Sequence, residues 1–387
     1  MRIFISTGEV SGDLQGSLLI QAIKRQSAGL KLEIVALGGE KMAAQGATIL
    51  GKTSGIGSMG LVESLPYIFP TIRVQRQAIA FLQQHPPDLV ILIDYMGPNL
   101  GIGTYMQKHL PQVPVVYYIA PQEWVWSIGL RNTSRIVGFT DKLLAIFPEE
   151  ARYFRENGAQ VQWVGHPLVD RMQDAPSRSV ARAKLQIPPA QKAIALLPAS
   201  RHQELKYLLP VIFQAAQTIQ AQLPFVHFWI PLSLEAYRQP IETAIQRYGL
   251  RATILCEQQK ELFAAADLAI TKSGTVNLEL ALLNVPQVVV YRLNPLTVWI
   301  ARNILKGSIP FASPVNLVVM KPIVPEFLQE QATPENILQA SMELLLNPER
   351  RQQTFADYTE MRQLLGEVGV CDRAAAEILQ MLPGLGK

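Results

Sequence analysis

Short, almost uninterrupted apolar runs alternate with helix-like stretches along most of this chain, and that alternation constrains the fold more than any other feature. In the first half the runs are Arg2–Ser6, Leu32–Leu37, Leu89–Ile93, Val113–Ile119 and Lys142–Ile146. Helical stretches are expected at Leu14–Arg25 and Ala78–Gln84. Strands that read as continuous runs are covered on both faces, the condition of a parallel sheet between helical layers. The pattern then restarts with Ala193–Leu197, Val226–Ile230, Leu268–Thr271 and Gln287–Tyr291, and a helix is expected over Ser273–Leu283. A charged, Pro-containing stretch from Gly165 to about Pro189 separates the two series and reads as a linker. At 387 residues the chain is too long for one hydrophobic core. The expected division is an N-terminal Rossmann-like domain over 1–166, a linker over 167–190, and a second Rossmann-like domain over 191–345. The helices over 346–387 could pack back on the first domain.

Composition excludes several classes. The chain is 49% hydrophobic and 17% charged, which is not the balance of a disordered segment. Thirty-five basic against 31 acidic residues leave a net charge of +4, too small for a nucleic-acid footprint but compatible with phosphates or anionic lipid. Cys256 and Cys371 form no CxxC and belong to no metal-ligand cluster, which fits a reducing cytoplasm. The sequence holds no window of about 18 uncharged apolar residues, so a cytosolic or peripheral protein is expected.

Open α/β sheets bind ligands beyond the carboxyl ends of their strands, so the residues after each run are the candidates. After the first run comes Gly8-Glu9-Val10-Ser11-Gly12-Asp13. Glycines in such a turn admit a ligand to the backbone, and its two acids suit sugar hydroxyls better than phosphate. Asp13 at a helix N-terminus is the alternative reading. Asp94 ends the run Leu89–Ile93, before Tyr95-Met96-Gly97-Pro98-Asn99. Partial burial there would suit a general base, and a helix cap is equally open. Trp124 and Trp126 offer a sugar platform, an acyl-chain wall or core packing. In the second half, Ser200 and Arg201 follow a strand and could cradle a diphosphate. Lys272-Ser273-Gly274-Thr275 follows another, with Glu279 placed to hold a ribose diol. The run Gly55-Ile56-Gly57-Ser58-Met59-Gly60 matches a dinucleotide fingerprint in letters only: it lies far from the opening strand and lacks the following acid.

Taken together, these motifs resemble the lipid-A-disaccharide synthase family. The match runs through Gly8-Glu9-x-Ser11-Gly12-Asp13, Met59-Gly60-x-Val62-Glu63, Ile93-Asp94, Trp124-x-Trp126, Val164-Gly165-His166, Pro198-x-Ser200-Arg201, Ser273-Gly274-Thr275…Glu279 and Asn316, in that order. The resemblance implies the GT-B form of the α/β class, two doubly wound Rossmann-like domains facing an interdomain cleft. It implies an inverting glycosyltransferase of lipid A and lipopolysaccharide biosynthesis, joining UDP-diacylglucosamine to diacylglucosamine-1-phosphate by a β-1,6 bond and releasing UDP. Asp94 corresponds to the family's essential strand-end aspartate, Glu9 to its first-turn acid, and Arg201 to its phosphate-site arginine. Ser200, Ser273, Gly274, Thr275, Glu279 and Asn316 complete the implied UDP site. Ser11, Gly12, Asp13, Asn99, Trp124 and Trp126 complete the acceptor site.

No cofactor is expected and no metal, since the chain has no Asp-x-Asp element to hold one against the diphosphate. The partners implied are an acylated UDP-sugar, a lipid phosphate acceptor and the inner leaflet of the cytoplasmic membrane; a homodimer is open and nucleic acid is not expected. Leu61, Val62, Leu65, Ile68 and Phe69, followed by Arg73 and Arg76, would dock on a bilayer, or else form a buried loop and helix. One departure stands out. Family members carry a second acid three residues after the first, where this chain has Gly97. If that acid shapes acceptor binding, the acceptor here differs from the usual one. Two rivals follow: another UDP-sugar enzyme on the same fold, such as a 2-epimerase, and a non-catalytic nucleotide-sugar or lipid-binding homologue.

Overall fold

The computed structural model describes residues 1–53, 68–125, 131–199, 202–294 and 311–384. They divide into two units, the first comprising Met1–Asp170 and the chain from Leu365 onward, the second lying between Arg171 and Leu364.

The first unit is built on β1 (Arg2–Thr7), β2 (Glu33–Gly38), β3 (Thr48–Lys52), β4 (Leu89–Ile93), β5 (Val115–Tyr118), β6 (Lys142–Ala145) and β7 (Val161–Trp163). All pair in parallel, in the order β3-β2-β1-β4-β5-β6-β7. Register places Phe4 between Val35 and Val90. These residues and Leu92 pack with Ala78 and Leu82 of the helix Ile68–Gln84 and with Ile102 and Met106 of the helix Met96–His109. Leu89, Ile91 and Ile93 point to the other face and are fully buried too. The helix Val370–Leu379 returns to this unit: Asp372 pairs with Arg25, and the Asp170 carboxylate accepts from the N–H groups of Gly369, Val370 and Cys371.

The second unit carries β8 (Lys192–Leu197), β9 (Val226–Pro231), β10 (Ala252–Leu255), β11 (Leu268–Lys272), β12 (Gln287–Tyr291) and β13 (Glu326–Leu328), parallel and ordered β10-β9-β8-β11-β12-β13. Ile194, Phe228, Ile270 and Val288 pack against Leu208, Ile212 and Phe213 of the helix His202–Gln222. The expected linker is largely structured. It contains the helices Leu168–Met172 and Arg178–Lys184, the second capped by Ser177, whose Oγ accepts from the N–H of Val180.

β3, β7, β10 and β13 were not anticipated from the apolar pattern, and each lies at a sheet edge. An edge strand is half covered, so its residues are partly exposed and do not form a continuous apolar run.

Candidate active site

In each sheet the strand order reverses once, between β1 and β4 and between β8 and β11. Ligands of doubly wound folds bind in the crevice at that reversal, beyond the carboxyl ends of the strands. The residues that follow these four strands are Gly8, Asp94, the Pro198–Arg201 segment, and Ser273. The sequence motifs thus converge on the two positions that topology selects.

At the first reversal the backbone is strained. Asp94 and Tyr95 both have φ of 46°, and Ile119 beyond β5 has φ of 61°. Left-handed backbone is uncommon outside glycine and a marked departure for a β-branched residue, costing about 1–3 kcal/mol each time. Local bonds hold it in place. The Asp94 N–H donates to the Ile119 carbonyl at 2.9 Å. The Asp94 carbonyl accepts from Tyr117 Oη at 2.8 Å and from Asn99 Nδ2 at 2.7 Å. Asn99 Nδ2 also reaches the Ile93 carbonyl at 3.1 Å, and its Oδ1 accepts from Ser6 Oγ at 2.7 Å. Burial, then the charge of Asp94, hold the Tyr117 pKa well above its usual value, so the phenol stays a donor.

Two expectations are corrected here. Asp94 is exposed rather than partly buried, and the N-cap position of the following helix is held by Tyr95. Asn99, expected at the acceptor, is fully buried and braces the strand ends. Gly97 is exposed, and a Cβ there would meet nothing within 4 Å.

The turn expected over Gly8–Gly12 is helical, because the helix Glu9–Gln26 starts directly after Gly8. Its glycines are required by contact. A Cβ on Gly8 would strike the Tyr95 ring, and one on Gly12 would strike Thr7 Oγ1. Ser11 is half-buried in the first turn. The Asp13 carboxylate is taken up by backbone donors: its Oδ1 accepts from the N–H groups of Gly39 and Met42 at 2.8 and 3.1 Å, and its Oδ2 from that of Lys41 at 3.1 Å. It therefore caps the helix Glu40–Ala44. The Glu9 side chain lies outside the described residues.

Trp124 is half-buried against the core, its ring 5.6 Å from Phe147, which lies 5.3 Å from His166. Trp126 lies outside the described residues. Burial lowers the His166 pKa to about 3, and its Nδ1 accepts from the Leu168 N–H at 3.2 Å. The imidazole is neutral and structural.

Sequence reasoning passed over Glu150, in the first turn of the helix Pro148–Glu156, although Pro148-Glu149-Glu150 is a helix-start signal. Its Oε1 accepts from the Ala120 N–H at 2.8 Å, and its Oε2 from those of Ile146 and Phe147 at 2.8 and 3.2 Å. It thereby fixes Ala120, directly after the left-handed Ile119. Burial raises its pKa from 4.5 to about 7 against those three backbone donors, with Asp94 adding to the rise. A raised carboxyl pKa gives stability that is full below pH 4.5 and lost as pH climbs through 7. Glu150→Gln should remove this dependence. Denaturant unfolding from pH 4.5 to 7.5 should show the variant's deficit shrinking with pH by about 3 kcal/mol; a constant deficit would contradict the assignment.

At the second reversal, Ser200 and Arg201 lie outside the described residues. After β11, Ser273 Oγ donates to the Ala312 carbonyl at 2.6 Å, and the Gly274 N–H donates to Asn277 Oδ1 at 2.8 Å. The helix begins only at Val276, so Ser273, Gly274 and Thr275 form the turn before it. Glu279, expected at a ribose, is paired with Arg171 at 2.5 Å. Asn316 is fully buried: its amide donates to the Val324 carbonyl and Glu326 Oε2, and its Oδ1 accepts from the Val324 N–H. It braces the loop into β13. Lys272, which ends β11, lies 3.6 Å from Glu204 of the helix His202–Gln222, a pair the sequence reading missed.

The segment with Leu61, Val62 and Leu65, the Ile68 side chain, and the Gly55–Gly60 run all lie outside the described residues. Phe69 is 81% exposed. Among the described residues no His, Cys, Asp or Glu group could hold a metal, and no helix is long and apolar enough to cross a membrane.

Two doubly wound parallel sheets with strand-end motifs at both reversals define the α/β fold of the GT-B transferases and their UDP-sugar relatives. A UDP-N-acetylglucosamine 2-epimerase from Neisseria meningitidis, solved bound to UDP-GlcNAc, aligns with a TM-score of 0.62 at 14% identity, covering 98% of this chain and 99% of that one. The kitacinnamycin glycotransferase aligns with a TM-score of 0.65 at 15% identity, covering 99% of each. Sequence decides between the two activities. The lipid-A-disaccharide synthetase profile matches residues 3–381. A lipid-A-disaccharide synthase from Gloeothece citriformis (strain PCC 7424) is 65% identical over 98% of this chain and 99% of its own length. The chain belongs to the lipid-A-disaccharide synthase family and is a glycosyltransferase of lipid A synthesis.

Proposed function

We propose that the enzyme joins a UDP-diacylglucosamine donor to the 6-hydroxyl of a diacylglucosamine-1-phosphate acceptor, with inversion and loss of UDP. The observation that carries this reading is Asp94: an exposed carboxylate on a strained, multiply braced backbone at the reversal of the first sheet. Such a group can take the acceptor proton as the oxygen attacks the anomeric carbon. Glu9, at the start of the neighbouring helix, is the second candidate base.

The second reversal receives the diphosphate. Arg201, Ser200 and the Ser273-Gly274-Thr275 turn offset its charge as UDP leaves. A guanidinium presents a planar fork to phosphate oxygens. Arg201→Ala should therefore weaken UDP binding by about 1.5–3 kcal/mol, read by calorimetry, and Arg201→Lys should rescue it only in part. Unchanged affinity in Arg201→Ala would remove the residue from the site.

The exposed Phe69, beside Arg73 and Arg76, supports peripheral docking on the inner leaflet. Incubation with UDP-diacylglucosamine and the phosphorylated acceptor, read by mass spectrometry, should yield a disaccharide and UDP. Epimerised donor without disaccharide would favour the epimerase instead. A disaccharide formed only with another acceptor would show that the acceptor differs from the usual one.

A further inference from the structure

The second sheet reverses between β8 and β11, and one ion pair ties together the segments that follow these two strands. Lys272 is the last residue of β11, and Glu204 lies in the first turn of the helix after β8. Their side chains are only 12% and 11% exposed, with Nζ and Oε1 3.6 Å apart. That separation is an electrostatic contact longer than a hydrogen bond, so the ammonium can re-aim without leaving its partner's field. The same Nζ donates to the Ser273 carbonyl at 3.2 Å. It also lies 3.1 Å from where a Cβ on Gly274 would stand. The glycine thus leaves the space over the turn to a cation, and a cation at a strand-end reversal faces the place where a doubly wound fold takes its ligand.

We propose that Lys272 is a cation of the donor's diphosphate site, and that Glu204 is a positioning residue that holds the ammonium over the Ser273–Gly274 turn. The proposal rests on the nucleotide-sugar reading given above. When a nucleoside diphosphate enters, the Lys272 N–H turns from Glu204 toward a phosphate oxygen, and Glu204 stays within its field so that the lysine charge remains compensated.

Calorimetry with UDP and with uridine, on the full chain, tests this. Lys272→Met should weaken UDP binding by on the order of 10- to 100-fold and leave uridine binding unchanged, because only the phosphates meet the ammonium. Lys272→Arg should retain UDP affinity to within a few fold. Lys272→Met removes the Lys272 charge from beside the buried Glu204, which can destabilise the fold. The double variant Lys272→Met/Glu204→Gln removes both charges, and it should show the same selective loss of UDP. Equal weakening of UDP and uridine, or unchanged UDP affinity in the folded double variant, would overturn the proposal while leaving the UDP-sugar reading intact. A wild-type protein that binds no UDP would overturn both.

Discussion

Asp94→Asn should lower turnover by about 10²- to 10⁴-fold while UDP affinity stays nearly unchanged. The substitution keeps the shape of the side chain and removes its basicity. The backbone that aims it should survive, because the braces act on main-chain atoms: Tyr117 Oη and Asn99 Nδ2 hold the Asp94 carbonyl, and the Ile119 carbonyl holds its N–H. Stability should therefore change little. UDP is assigned to the second unit, so its affinity is an internal control. A variant with near-full turnover would remove Asp94 as the base and move the role to Glu9. A variant that loses stability and UDP binding together would mark Asp94 as structural.

Asp267→Ala should cost about 3–5 kcal/mol of stability, the usual consequence of removing one member of a buried ionic network. The residue lies just before β11, at the end of the second sheet away from its proposed ligand, and is only 6% exposed. Its Oδ1 accepts from Arg178 at 2.8 Å. Its Oδ2 accepts from Arg182 at 3.3 Å and from the Ala193 N–H at 2.9 Å, at the start of β8. Arg351 donates to the Asp267 carbonyl, and burial holds its guanidinium below the usual range while the Asp267 charge opposes the shift. Without the carboxylate, Arg178 and Arg182 would lose the counter-charge they share. Asp267→Asn keeps one acceptor and should lose less. Denaturant unfolding measures the effect, and a loss under about 1 kcal/mol would show that the arginines find other partners. UDP affinity of the folded variant should be unaffected.

The central strands of both sheets were legible because each is buried on two faces, so that Leu89–Ile93 and Val288–Val290 are wholly apolar. The edge strands were not, because half-covered residues are freer in composition. The site was legible to the level of motif and not of role. Asp13, Asn99 and Asn316 all belong to the motifs on which the resemblance was drawn, yet each is consumed in holding backbone. Which N–H a carboxylate meets depends on what the fold brings to it: Gly39, capped by Asp13, is distant in sequence and arrives only because β2 pairs with β1. The left-handed pair Asp94-Tyr95 carries no glycine to announce it. Glu150 meets Ala120, and Lys272 meets Glu204, only because the sheet order sets β5 beside β6 and β8 beside β11.

The stereochemistry of the product tests the account most directly. A single carboxylate that deprotonates the acceptor while UDP departs gives one displacement and hence inversion, with no enzyme-bound glycosyl intermediate. Magnetic-resonance analysis of the disaccharide made from UDP-diacylglucosamine and diacylglucosamine-1-phosphate should show a β-1,6 linkage, formed in step with UDP. An α linkage, a glycosylated enzyme intermediate, or UDP release without disaccharide would contradict it.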